Sequence, residues 1–440
     1  NEGGIFFNRA VSMPGSGDVT LADGTEIIVT VGGSGWTTGT SGVGTIGGLL
    51  AGEGGQGTAT VSYGGAHTIG LNIAGTSQDY AGNIGNVNGT TGLAIYSNTN
   101  SGTMALSGAN TYSGGTTLNM GVATFGINSA NAIGTGALTI NGGAVDNTSG
   151  SAVTLATNNA QNWNANFTFV GSNDLDVGTG TVTINNNRTV TVSAGTFSVG
   201  GIAQSGSNRQ LIKNGAGALA IKGSSSYTGA TTINGGILAI AGSGSVNSSS
   251  GITLNGGTLN YSSSVALTAP LTITSGTISG NGTINQDLTI NGSIAPGNSI
   301  GVLTVGGNVT WNGSAATPWV FELDAGDSAD LLAITSGDFL IGSGSGGTDF
   351  VFDFAGSTAA GTFDLVTWTG NTTFTETDFS YTNYAGSNAG TFAINGSTLQ
   401  FIAVPEPATL ALAGLGLAGV TAVVRRARQA RDLTRSGYRA

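Results

Sequence analysis

The stretch GALTINGGAVDN occupies residues 136–147. Leu138 and Ile140 fall on one side of an extended chain and Thr139 on the other, the period of two that marks a strand. Asn141-Gly142-Gly143 then supplies the positive φ that a sharp corner needs. Two architectures accommodate such a unit. In one, Asn-Gly is the two-residue turn of a β-hairpin within a sandwich. In the other, Asn-Gly-Gly is a corner between two faces of a parallel β-solenoid.

The surrounding sequence decides between them. SGITLNGGTLNY at 250–261 answers GALTINGGAVDN at an offset of 114 residues. Just upstream, GTMALSGANTYSGGTTLN at 102–119 matches GALAIKGSSSYTGATTIN at 217–234 at an offset of 115. A long repeat of short apolar runs, none able to bury its face alone, favours stacked coils. Composition agrees. Only 8% of the 440 residues are charged and 79 are Gly, and stacking like residues above like is tolerated by Asn and Thr but not by charges. Leu138 and Leu254 are expected to point into the coil.

The segments LSGANTYSGGTTLNMG and IKGSSSYTGATTINGGIL resemble the autotransporter-associated β-strand repeat, and SIAPGNSIGVLTVGGNVTW at 293–311 resembles a segment that commonly follows it. The resemblance covers roughly 78–310. It implies a right-handed parallel β-helix, as in secreted passenger domains of Gram-negative bacteria. No counterpart of the family's outer-membrane barrel is expected within residues 311–440, which have no room for its long alternating strands. The expected organisation is an N-terminal β-rich cap at 1–77, solenoid repeats at 78–310, a β unit at 311–403 closing the open end, and a tail at 404–440. The aromatic-rich runs DFVFDFAG and TFDLVTW support that closing role, because an uncovered last coil offers unpaired backbone to other chains.

Charge narrows the function. Of the 11 Lys and Arg, six lie in the tail, leaving five against 20 acids in the body. A body this acidic has no cationic surface for phosphate, so no nucleic-acid partner is expected. With no Cys there are no disulfides, and no signal peptide is visible after Asn1. The chain starts at Asn rather than Met, which fits either a removed leader or a fragment.

Parallel β-helices can carry polysaccharide lyase or hydrolase sites, which need clustered acids or an acid with a base. The candidates are thin. Arg209 and Lys213 are close in RQLIK and read as a solvated repeat face. Asp174 and Asp176 in NDLD share a side of a strand and read as a surface turn. His67 reads as a turn or surface residue. Asp324, Asp327 and Asp330 in DAGDSAD could offer oxygen ligands to calcium, but their spacing departs from calcium-loop patterns and reads better as a hydrated acidic loop. No catalytic residue, metal site or cofactor is assigned.

The end of the chain is different in style. VPEPATLALAGLGLAGVTAVVRRARQ covers 404–429, and residues 408–424 carry no charge. As a helix those 17 residues reach about 25 Å, the short limit for crossing a bilayer. Pro405 and Pro407 stop a preceding strand, and Arg425, Arg426 and Arg428 supply the charge that fixes orientation. The arrangement resembles the PEP-CTERM sorting signal, with Val404, Pro405, Glu406 and Pro407 as the motif, then the apolar helix, then arginines. The resemblance implies an exosortase-type membrane protease as partner, with removal of the tail and transient inner-membrane association; the segment after Arg428 is longer than the family's usual tail.

The sequence is therefore read as an all-β protein: a right-handed parallel β-helix with a C-terminal β cap and one short transmembrane helix. Its expected function is that of a non-enzymatic structural or adhesive protein, exported to the cell surface or extracellular polysaccharide matrix of a Gram-negative bacterium. Extracellular polysaccharide is the expected ligand class. The competing reading is a carbohydrate-active enzyme on the same fold.

Overall fold

The computed structural model describes residues 4–97, 101–324, 327–356, 360–384 and 388–405. Nearly every element is a short strand whose partner lies one coil away and runs parallel. On the first face, Thr116 pairs with Leu138, Leu138 with Gln161, Gln161 with Val182 and Val182 with Ile202, steps of 22, 23, 21 and 20 residues. That face is a nine-stranded sheet running from Gly4–Phe7 to Ile202–Gln204.

Alternation sets what the sheet buries. Leu118, Ile140, Trp163 and Ile184 stack inward and are fully buried, while Thr117, Thr139, Asn162 and Thr183 between them face out. Leu138 and Leu254 are buried as well. The corner at Asn141–Gly143 behaves as a corner and not as a hairpin: Leu138–Ile140 belongs to the first face and Ala144–Asp146 to the second, each in parallel ladders. Gly142 and Gly143 have φ of +135° and +83°, values that favour glycine.

The second and third faces join in one 16-stranded sheet, because Ile252–Ser263 belongs to both. Its first residues pair with Thr231–Ile233 and its last with Ile237–Gly242. The strand turns the corner at Asn255-Gly256-Gly257 without a break, and the register slips there against the next coil.

Parallel stacking is wider than the repeats. It begins with Gly4–Phe7 on Thr25–Val31 and reaches Phe350–Gly356 on Phe379–Thr382. Past residue 300 the coils lengthen: Val302 pairs with Leu331 and Val309 with Phe339, steps of 29 and 30. A longer coil encloses more interior, and aromatic rings fill it. Trp311 and Trp319 stack at 3.7 Å, with Phe350 and Phe352 edge-on to Trp311. The antiparallel hairpin Asn388–Asn395 and Thr398–Pro405 then pairs onto Gly361–Thr367, and Phe392 lies over Phe379 and Phe352.

The other end is less covered. Ile5 aligns with the fully buried Ile27 yet is 40% exposed, since no described residue lies beneath it. The apolar segment 408–424, expected as a helix, lies outside the described residues. Among the described residues, no helix is long and apolar enough to cross a membrane.

Candidate functional site

The repeated segments first explain themselves structurally. In the first copy Tyr112 is fully buried and its hydroxyl lies 2.6 Å from Thr116 Oγ1; in the second, Tyr227 is fully buried and lies 2.6 Å from Thr231 Oγ1. Each threonine has a further partner inside the coil: Thr116 Oγ1 donates to Ile133 O, and Thr231 Oγ1 meets Ser249 Oγ at 3.0 Å. Burial raises both phenols well above the ordinary tyrosine range. These groups are inner braces without access to a ligand. The spacing Tyr-x-Gly-x-Thr could have flagged them, since a tyrosine four residues from a threonine recurs at the same place in both copies.

Asparagine forms the outer seam. Asn141 Nδ2 donates to Asn119 Oδ1 at 2.7 Å, Asn164 to Asn141 at 2.9 Å and Asn185 to Asn164 at 2.9 Å, along the corner that leaves the first face. A second run, Asn214, Asn234 and Asn255, follows the corner that leaves the second face, at 2.9 and 3.2 Å. Within each run, every asparagine after the first donates to the same residue type one coil before, which charged residues could not do.

The residues singled out for chemistry are absorbed into this scaffold. Asp174 Oδ1 accepts the N–H of Thr196, one coil on, at 2.7 Å. Asp176 accepts the N–H of Gly178 and pairs with Lys222. Farther along, Asp287 accepts the N–H of Asn308, Asn308 that of Asp338, and Asp338 that of Asn371, so carboxylate and amide oxygens are interchangeable caps for the next coil. Asp174 and Asp176 have their described polar contacts with these structural groups.

Lys213 corrects the expectation of a solvated face. It occupies an inward position between Val190 and Ile233 and is fully buried. Its Nζ donates to Asn214 O, Gly215 O and Gly235 O at 2.9–3.1 Å, and burial pushes its pKa down to about 8. Neighbouring Arg209 instead donates from Nε to Ser205 O. Arg188, one coil before Lys213, is likewise turned inward: Nε donates to Trp163 O at 2.7 Å and a terminal nitrogen to Asn164 O and Asn185 Oδ1. Sequence reasoning passed over Arg188 because a cation in an alternating run reads as outward-facing.

His67 is also buried rather than at the surface. Its Nε2 lies 3.1 Å from Thr91 Oγ1, and its ring centroid lies 4.6 Å from that of Tyr63. In the acidic stretch, Asp330 is 2% exposed, not hydrated; its two oxygens accept the N–H groups of Gly301 and Glu322, and burial lifts its pKa to about 6. Asp327 accepts the N–H of Thr362 at 3.1 Å. Among the described residues, no group of three or more His, Cys, Asp or Glu is placed to hold a metal.

Of the sorting signal, Val404 and Pro405 end the last strand, Val404 paired with Ala389 and 51% exposed. Glu406, Pro407, Arg425, Arg426 and Arg428 lie outside the described residues.

Comparison with known proteins agrees with both resemblances. The family described as passenger-associated-transport-repeat matches residues 99–122 and 211–240, the segments that carry the two buried tyrosines. The PEP-CTERM protein-sorting motif matches residues 403–428, starting within the last strand. The chain is similar to the crystal structure of the Haemophilus influenzae Hap adhesin at 12% identity and a TM-score of 0.33, with 88% of this chain and 55% of that chain covered. The chain thus spans about half the length of that adhesin chain. No curated protein matches it.

Proposed function

We propose that this chain is an exported structural protein: a stiff, acidic β-solenoid displayed at the cell surface or in the extracellular polysaccharide matrix, delivered by its C-terminal sorting signal. The observation that carries this reading is the abutment of fold and signal. The last described strand, Thr398–Pro405, overlaps the first three residues of the match to the sorting motif, 403–428, so the signal follows directly on the coil stack. An exosortase-type membrane protease is the partner this signal calls for, acting while the apolar run holds the chain transiently at the inner membrane with Arg425, Arg426 and Arg428 on the cytoplasmic side.

The body supports a mechanical role. Several of its named acids and bases, Asp174, Asp287, Asp338 and Arg188 among them, bond backbone groups of neighbouring coils, and its outer rows present Thr, Asn and Ser at the coil spacing of about 4.8 Å. Such rows suit weak multivalent contact with polysaccharide.

Localisation with and without residues 404–440 tests the reading. The full chain is expected in the membrane fraction first and outside the cell later. The truncated chain is expected to bypass the membrane step. Mass spectrometry of the external protein is expected to lack the peptide from Val420 to Arg425; its persistence there overturns the sorting mechanism.

A further inference from the structure

Nine asparagines in this chain are followed by glycine. Such pairs carry their own chemistry. Glycine has no Cβ, so its backbone nitrogen reaches the Cγ of the preceding side chain with little hindrance. Attack there needs two things: a side chain free to swing back over its own main chain, and a following N–H that is not engaged.

The solenoid withholds one or both at eight of the nine. Along the two seams, the side-chain amides of Asn141, Asn214, Asn234 and Asn255 are each tied to a neighbouring asparagine. Asn312 donates to Asn291, Asn291 to Ile273 O at 2.7 Å, and Asn88 to Tyr63 O. Asn281 is exposed, but the N–H of Gly282 donates to Tyr261 O at 2.8 Å. Asn395-Gly396 is the exception. It opens the turn between Asn388–Asn395 and Thr398–Pro405, where Asn395 pairs with Thr398, and both residues are exposed. Among the described residues, neither the Asn395 side chain nor the Gly396 N–H has a hydrogen-bond partner.

We propose that Asn395 is a site of spontaneous deamidation and that the fold protects the other eight. The Gly396 nitrogen gives up its proton to solvent and bonds to Asn395 Cγ; the Cγ–Nδ2 bond breaks and Nδ2 leaves as ammonia. Water then opens the resulting ring at either carbonyl, giving aspartate or isoaspartate. Each event consumes one water, releases one ammonia and adds a carboxylate. Isoaspartate also adds one carbon to the main chain of the turn that sets Phe392 opposite Phe401. The register of the closing hairpin, and with it the seating of Phe392 against Phe379, is thus the part of the fold that ages first. Nothing in this step depends on export or on the sorting signal.

The full-length chain, incubated folded at pH 8 and mapped by peptide mass spectrometry, tests it. Acid at residue 395 should form at least about fivefold faster than at Asn141, Asn234 or Asn291, the factor that one net hydrogen bond supplies. In urea, where the ladders are lost, the rates should converge. Asn214→Ala removes the acceptor of Asn234 Nδ2 and should raise the rate at Asn234 while leaving that at Asn395 unchanged. Asn395 reacting no faster than the seam asparagines in the folded chain overturns the site. Seam rates that are the same folded and in urea, or an Asn234 rate untouched by Asn214→Ala, overturn the protection.

Discussion

The two copies of the repeat have the same interior and different positions around the axis. Tyr112 with Thr116 and Tyr227 with Thr231 are superposable in their bonding, at 2.6 Å each. Yet Thr116 lies on the first face and Thr231 on the second. Between them the first face receives Leu138, Gln161, Val182 and Ile202, then the bridge at Ser224, so 115 residues make five coils and one further side. The seam moves with the motif, from the corner carrying Asn119–Asn185 to the corner carrying Asn214–Asn255. Arg188 and Lys213 sit at the change, one against the last residues of the first seam and one against the first residues of the second. The repeat therefore specifies a strand, a corner and a brace, and it leaves rotational phase free.

That comparison can be broken most severely at the braces. Tyr112→Ala and Tyr227→Ala each remove a fully buried ring and should cost about 3–5 kcal/mol. Amide exchange around each site reads the local loss. The two costs should agree within about 0.5 kcal/mol; a larger gap means that face position matters to the motif. The transition between seams is tested next, through Lys213. Its pKa is lowered from 10.5 to about 8 in the fold, so between these values the unfolded chain binds more protons and stability rises with pH. Across that window the gain should be on the order of 2 kcal/mol, read by denaturant titration at pH 7 and 10. Lys213→Met should remove the slope, and an unchanged slope assigns it to another group. The smallest effects belong to the exposed seams. Asn164→Ala and Asn234→Ala, each central in its run, should cost about 0.5–1 kcal/mol and cost the same.

Much of the architecture was legible in the sequence. The Asn-Gly-Gly corners, the inward Leu138 and Leu254, and the parallel coil all come from a period of two interrupted by glycine. The rotation between copies did not. An offset of 115 residues fixes no phase when coils vary from 20 to 23 residues, and only the pairing register shows which side each strand occupies. The extent of the stack was underestimated because Thr25–Val31 and Trp319–Asp324 pair in parallel without carrying the repeat's wording. Lys213, Arg188, His67 and Asp330 were unreadable for one shared reason. Residue type alone places charged and polar groups outside, whereas a coil corner offers a ring of inward carbonyls and amides that only the folded backbone brings together. The sorting signal was legible as wording, and the structure places the start of its match within the last described strand.

The asparagine seams have a consequence for the medium in which the protein works. Cohesion between coils here comes from the buried apolar stack together with amide, hydroxyl and backbone groups, none of which gathers a cloud of counterions. Attraction between exposed ions fades as ionic strength rises and the Debye length shrinks to about 3 Å at 1 M, but neutral contacts do not. Contacts of this kind are expected to hold between coils as the salt concentration rises, while repulsion among the body's acids weakens.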